Sequence, residues 1–254
     1  MTSSRPNNFI DRFFNRPSLP TRLKEELFNA AEDEKVKGVV LRINSPGGTV
    51  TASDILHHEV LEFKKKRKIP VVACIMDIGT SGGYYLASAS DHIVAHPSAI
   101  TGSIGVIMLT INGSGLMEKI GLEAHAITSG QHKDMGSPFR KMTTQDRAIF
   151  QSVIQSFYQQ FLEIIEKGRP QLAKEKIRQL ADGRIYSAPQ AKKAGLIDRI
   201  GYLDDAIAVA KQEAGVTKAK VIMYGREGEY HPNIYSKWGG AAENPSLMIP
   251  KLDA

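Results

Sequence analysis

The chain has 254 residues, enough for one large domain or two small ones, and its 42% hydrophobic and 24% charged residues are those of an ordinary globular protein. No run approaches the ~20 apolar residues that cross a bilayer, and residues 1–20 are too polar and proline-broken for a signal peptide. The net charge of +6 is modest, much of it lying in Lys64-Lys65-Lys66-Arg67-Lys68, and the single cysteine, Cys74, rules out an intrachain disulfide.

Residues 1–20 read as a flexible arm, with Phe9, Ile10, Phe13 and Phe14 available for docking. Leu23, Leu27 and Ala30 have helical spacing over Thr21 to Ala31, and Val39 to Ile43 is a short apolar strand. That strand runs into Asn44-Ser45-Pro46-Gly47-Gly48, whose glycines let the backbone turn sharply and approach a ligand. Thr51 or Ser53 is expected to cap the next helix, with Ile55, Leu56, Val60 and Phe63 facing inward and His57 and His58 exposed. Its basic end suits a helix C-terminus; contact with an anionic membrane surface is the livelier reading. Val71 to Met76 is a buried strand with Cys74 inside it, followed by Gly79-Thr80-Ser81-Gly82-Gly83 and a helix from Tyr84 to Ser90.

His92 to Ala95 is a further strand. The strand–loop–helix pattern recurs about every 30 residues, with glycines at the strands' carboxyl ends. An α/β domain with mainly parallel strands, and a crevice at those ends, follows. Ser114 to Ile120 reads as a helix, Ala124 to Thr128 as a strand, and Ser129 to Ser137 as a polar loop holding Lys133. A long helix from Thr144 places Ile149, Val153, Phe157, Phe161 and Ile164 on one stripe. Helices follow over 173–181, 188–194 and 203–214, then a last strand Val221 to Tyr224 and a tail to residue 254 that holds Trp238.

The serine at the strand-to-helix turn draws the chemistry. Unpaired N–H groups at a helix N-terminus favour negative charge, so Ser81 is well placed to attack a carbonyl and hold the oxyanion. The plain alternative is an N-cap serine in a tight turn. Gly79 to Gly83 fits G-x-S-x-G, and a hydrolase elbow of that kind would take Asp198 or Asp205 and then His231 as partners. His92, His96, His125 and His132 are placed by no motif, and His58-Glu59-Val60-Leu61-Glu62 lacks the second histidine of a zinc site. No Cys/His cluster has metal-ligand spacing, so neither metal nor cofactor is expected. A lysine base is the other option, and Lys133 stands out because it sits in a loop and not on a charged helix face. Asp134 beside it would raise its pKa unless that carboxylate points away.

Ile43-Asn44-Ser45-Pro46-Gly47-Gly48, Thr80-Ser81-Gly82-Gly83-Tyr84-Tyr85 and Thr101-Gly102-Ser103-Ile104-Gly105-Val106 resemble, in order and spacing, the signal peptide peptidase A family. The match continues through Ser129-Gly130, Lys133-Asp134, Ser137-Pro138, Asp182-Gly183-Arg184 and Gln190-Ala191 to Gly195-Leu196-Ile197-Asp198. It covers roughly residues 25–215. The resemblance implies a ClpP/crotonase-like repeated β-β-α superhelix over 21–215, with 216–254 as terminal strand and tail. It implies a serine–lysine peptidase in which Ser81 is nucleophile, Lys133 general base and Ser103 the serine orienting that lysine. Gly82, with Gly47, is implied as the oxyanion hole. Released signal peptides or other unfolded apolar peptides are the implied substrates, and a homo-oligomer the implied assembly; no nucleic-acid partner is expected. Relatives carry a membrane anchor and opening strands ahead of the helix at Thr21; residues 1–20 read as neither, and the chain as given reads as soluble. A crotonase-type scaffold without catalysis is the competing reading.

Overall fold

The computed structural model describes residues 18–224. The Phe-rich arm and the tail with His231 and Trp238 lie outside the described residues.

Helix α1, Leu19–Glu32, begins two residues earlier than its spacing predicts, because Ser18 caps it and Pro20 fits the first turn. It buries Leu27 and Ala30 against α2, Val50–Arg67, which Thr49 caps by accepting from the Ala52 N–H. Between them lies β1, Val39–Ser45, paired in parallel with β2, Val71–Thr80. The ten-residue β2 is the spine of the sheet. Its first half also pairs in parallel with β3, His92–Ala95, and its last three residues with β4, Ile100–Gly102. The two short strands that finish the sheet, like β4, are not foreseen from the sequence. β5, Ile185–Ser187, runs antiparallel to β4, and β6, Arg199–Ile200, parallel to β3. The expected α/β architecture with mainly parallel strands is thus the one the chain adopts.

A central parallel strand must be apolar on both faces. Val71, Ala73 and Ile75 enter the main core with Tyr84, Leu162, Ile165 and Leu196. Val72, Cys74 and Met76 face the other way, under α8, Leu203–Glu213. The remaining helices are α3, Gly82–Ala87; α4, Ser114–Lys119; α5, Thr144–Gly168; α6, Lys174–Leu180; and α7, Ala188–Ala194.

The basic run ends α2 as expected, with Lys65, Lys66 and Lys68 exposed and Lys64 and Arg67 half-buried. Lys64 pairs with Asp91 at 2.7 Å and Lys66 with Glu32 at 2.7 Å. The Arg67 guanidinium donates to the carbonyls of Ala30, Ala31, Asp33 and Val36 at 2.6–3.0 Å, closing the end of α1. Lys68 sits at φ +53° and ends α2 in the left-handed region.

Two expected strands are absent. Ala124–Thr128 finds no ladder and is exposed throughout, with Ile127 bare to solvent. Val221–Tyr224 likewise joins no ladder; Tyr224 packs on the main core, and Arg42 Nη1 donates to Met223 Sδ at 3.6 Å. In both, β-prone residues lack a partner strand among the described residues. No helix among the described residues is long and apolar enough to cross a membrane.

Candidate active site

β2 ends at Thr80 and α3 begins at Gly82, leaving Ser81 alone on the turn at φ +51°, ψ −118°. That backbone is costly for any residue with a Cβ, of order 1–3 kcal/mol. The turn is over-determined from outside: the Ser81 N–H donates to the Gly102 carbonyl at 2.8 Å and the Tyr85 N–H to the Ser81 carbonyl at 2.9 Å. The Ser81 hydroxyl makes no capping bond, so the N-cap reading does not describe it.

The loop after β1 is stitched to the same turn. Asn44 Oδ1 accepts from the Ile78 N–H at 3.2 Å, and Thr80 Oγ1 donates to the Pro46 carbonyl at 3.1 Å. The two loops leave no room for a Cβ on Gly47 or Gly82, where they meet. A Cβ on Gly82 would lie 2.2 Å from Ser53 Oγ and 3.2 Å from the Gly48 nitrogen. Gly47, at φ +109°, has the Gly82 nitrogen and Ser81 Cβ each 2.9 Å from where its own Cβ would be. Its N–H donates to Ser45 Oγ at 3.1 Å. Gly48, not Gly47, lines the cavity with Ser81 and Gly82.

That cavity, about 150 Å³, is closed by Val50 and Ser53 of α2, Tyr85 of α3, Val106 and Ile107, and Phe157 and Phe161 of α5. Its wall is apolar and braced from behind. Tyr85 Oη donates to Asp54 Oδ1 at 2.9 Å, and Gln160 Nε2 to the same oxygen at 3.1 Å, tying α2, α3 and α5 together. Phe161 packs on the Tyr85 ring with centroids 4.9 Å apart.

His57, expected on the surface, is instead buried and set edge-on to Tyr85 at 5.3 Å. The inner face of α2 is Ser53, Leu56, His57, Val60 and Phe63, and Ile55 is the side chain left 41% exposed. Burial pushes the His57 imidazole down from 6.5 to about 4. The neutral ring is therefore the form the fold favours. Its contribution is fully present above pH ~6.5 and is lost as pH falls toward 4, up to about 2–3 kcal/mol after allowing for partial solvent access. His57→Phe is expected to shrink the difference between urea midpoints at pH 7 and pH 4.5. An unchanged difference would show that another group governs the acid limb.

Ser103 follows Gly102 at φ +50°, with its N–H on the Arg184 carbonyl at 2.8 Å, so it emerges from the strand end whose carbonyl holds Ser81. Lys133 is elsewhere. Its side chain is exposed, and it is not part of the cavity lining. Its loop is fastened to the first turn of α5: Arg140 takes Asp134 through Nε and Nη2 at 2.8 and 2.9 Å, and Asp146 through Nη1 at 2.6 Å. Between β4 and α5 the chain exposes Ile107, Leu109, Ile111, Leu116, Ile120 and Leu122, with Leu109 82% accessible.

The partners expected of a hydrolase triad are used otherwise. Asp198 accepts from the Ile93 N–H at 2.7 Å and pairs with Arg169 at 2.6 Å. Asp205 caps α8 through the Tyr202 N–H at 2.8 Å and pairs with Arg199 at 2.7 Å. No group of three or more potential metal ligands occurs among the described residues. Gly48, Ser53, Tyr85, Phe157 and Phe161 were not foreseen as site residues. The signals that could have found them are the glycine loop for Gly48, the serine motif for Tyr85 and the helical stripe for Phe157 and Phe161.

A serine held in strained backbone at a strand–helix turn, beside two glycine loops and an apolar cavity, defines the class: an α/β protein with a site suited to acyl chemistry. The chain belongs to peptidase family S49, whose model matches residues 63–217. An Enterococcus faecium protein named as a signal peptide peptidase, SppA, is 38% identical over 96% of this chain and 70% of its own length. A chloroplast serine protease of Arabidopsis thaliana, SPPA, is 33% identical over 87% of this chain but only 33% of its own length. Among solved structures, a point mutant of ClpP1 from Listeria monocytogenes aligns with TM-score 0.48 and 17% identity, over 74% of this chain and 87% of that one.

Proposed function

We propose that this S49 peptidase is a serine–lysine endopeptidase acting on unfolded, apolar peptides such as released signal peptides. The observation that carries the reading is the Ser81 turn, whose hydroxyl makes no capping bond and which lines the cavity together with Gly48 and Gly82.

Lys133, neutral, takes the Ser81 hydroxyl proton as Oγ attacks the peptide carbonyl. The Gly82 and Gly48 N–H groups receive the oxyanion; Gly48 replaces Gly47 in this reading because the Gly47 N–H is already given to Ser45. The lysine ammonium then protonates the leaving amine. Water, giving its proton to the same lysine, hydrolyses the Ser81 ester. The apolar cavity receives the side chain beside the scissile bond, and Ser103 orients the lysine.

Because Lys133 is exposed and absent from the cavity of its own chain, the dyad is completed between copies of the chain. The exposed apolar side chains from Ile107 to Leu122 supply the contact surface. The test is cleavage of an apolar-rich unfolded protein by wild type, Ser81→Ala and Lys133→Ala, alone and mixed. Each variant alone should be inactive, and the mixture should recover part of the activity. Activity in Lys133→Ala alone would overturn the dyad; two dead variants that stay dead when mixed would place serine and lysine in one subunit.

A further inference from the structure

Lys133 lies between two ionisable neighbours, His132 and Asp134, in a turn that ends at Ser137. An aspartate next in sequence is a ready partner for a lysine ammonium, and such pairing opposes the neutral amine a general base needs. In the structure that partner is taken. Both oxygens of Asp134 are held by Arg140, Oδ2 by Nε at 2.8 Å and Oδ1 by Nη2 at 2.9 Å. This is the fork-on-carboxylate geometry that lysine cannot reproduce.

The third arm fixes the clamp in place. Arg140 Nη1 reaches Asp146 Oδ2 at 2.6 Å, and Asp146 is buried at the start of α5. The same Oδ2 accepts from the Thr143 N–H at 3.1 Å, while Oδ1 lies 3.6 Å from His132 Nδ1. Gly136, in the same turn, packs against the Phe150 ring of α5. The charged and titratable groups joined at the turn are His132, Asp134 and Arg140 of the loop and Asp146 of α5, with Lys141 and Arg147 next in sequence to Arg140 and Asp146. Arg140 binds both Asp134 and Asp146, and His132 Nδ1 lies 3.6 Å from Asp146 Oδ1.

We propose that Arg140 is a positioning residue that withholds Asp134 from Lys133 and anchors the lysine turn to α5, leaving the amine without a carboxylate partner in its own turn. The inference rests on the reading of Lys133 as general base. It assigns Arg140 a task that packing alone would not require, because deleting the guanidinium both removes a nearby positive charge and frees a carboxylate. Both changes favour the ammonium form of Lys133.

The test is the pH dependence of kcat/KM across pH ~6–10 for wild type, Arg140→Ala, Asp134→Asn and the double variant, a window in which a general base acting near neutral pH shows its rising limb. Arg140→Ala should move the rising limb to higher pH by roughly 0.5–1 unit, in line with an opposite charge newly available to the amine. Adding Asp134→Asn should return the limb to its wild-type position or below. Asp134→Asn alone leaves Arg140 paired with Asp146, so its fold is retained even where Arg140→Ala is unstable. Its limb should sit at or below wild type.

A limb that stays in place in Arg140→Ala, with kcat/KM lowered uniformly, overturns the proposal, since a structural role predicts that result. A limb raised by Asp134→Asn also overturns it. Failure of the underlying reading looks different: Lys133→Ala would then retain the wild-type limb, whatever Arg140 does.

Discussion

Ser81→Gly is expected to abolish peptide cleavage and to make the protein more stable. The loss should be at least ~10³-fold in kcat/KM, because on the proposed reading the group that forms the ester is gone and only binding and the amide donors remain. The gain follows from the backbone. At φ +51°, ψ −118°, a Cβ is strained by about 1–3 kcal/mol, and glycine relieves this at an entropic cost of roughly 0.5–1 kcal/mol. A net gain of about 1 kcal/mol corresponds to a Tm rise of ~2–4 °C for a protein of this size. Ser81→Ala keeps the Cβ and should be equally inactive with Tm unchanged. Calorimetry of the three proteins reads the difference. A glycine variant no more stable than the alanine one would mean that the turn carries no strain, and retained cleavage would remove Ser81 from the mechanism.

Asp198→Ala is expected to cost about 3–5 kcal/mol, the usual penalty for stranding one member of a buried ion pair. Arg169, at the end of α5, is 2% exposed, and its Nε and Nη2 find no partner among the described protein atoms. Asp198 is its only ion-pair partner there, at 2.6 Å, and also holds the Ile93 N–H at the start of β3. Removing the carboxylate leaves a buried cation and a bare N–H together. Arg169→Met in the same chain should recover much of the loss, because the uncompensated charge goes too. Urea unfolding measures both, with turnover per folded molecule as the companion reading. Normal stability with lost turnover would restore Asp198 to a catalytic triad.

Local signals made much of this legible in the sequence. The unbroken apolar run Val71–Met76 required a strand covered on both faces, and the glycines around Ser81 required close backbone contact; both are present. What stayed hidden depends on distant partners. His57 is buried because α1, α3 and α5 leave Ile55 outside and the imidazole within, which a helical pattern cannot decide when both faces of α2 carry apolar residues. The Ala124–Thr128 segment has strand composition but meets no partner strand, so propensity alone misled. Within the basic run, Arg67 turns inward without a sequence signal, because its acceptors are carbonyls of α1 and the turn after it, and a backbone carbonyl leaves no mark in a sequence. The escape of Lys133 from Asp134 depends on a guanidinium six residues on from that aspartate, close in sequence yet visible only once the turn closes.

Helix α5 carries Asp146 in its first turn and Phe157 and Phe161 past its midpoint. A helix is a ruler: eleven residues set Asp146 and Phe157 ~16 Å apart along the axis, and one inserted residue would turn everything beyond it by ~100°. The lysine turn and the cavity wall are thus fixed to one rod at a set separation and a set angle. On the proposed reading, neighbouring copies must be spaced to that same length, so α5 sets the pitch at which the chain repeats. An assembly built from it inherits its dimensions from a count of residues.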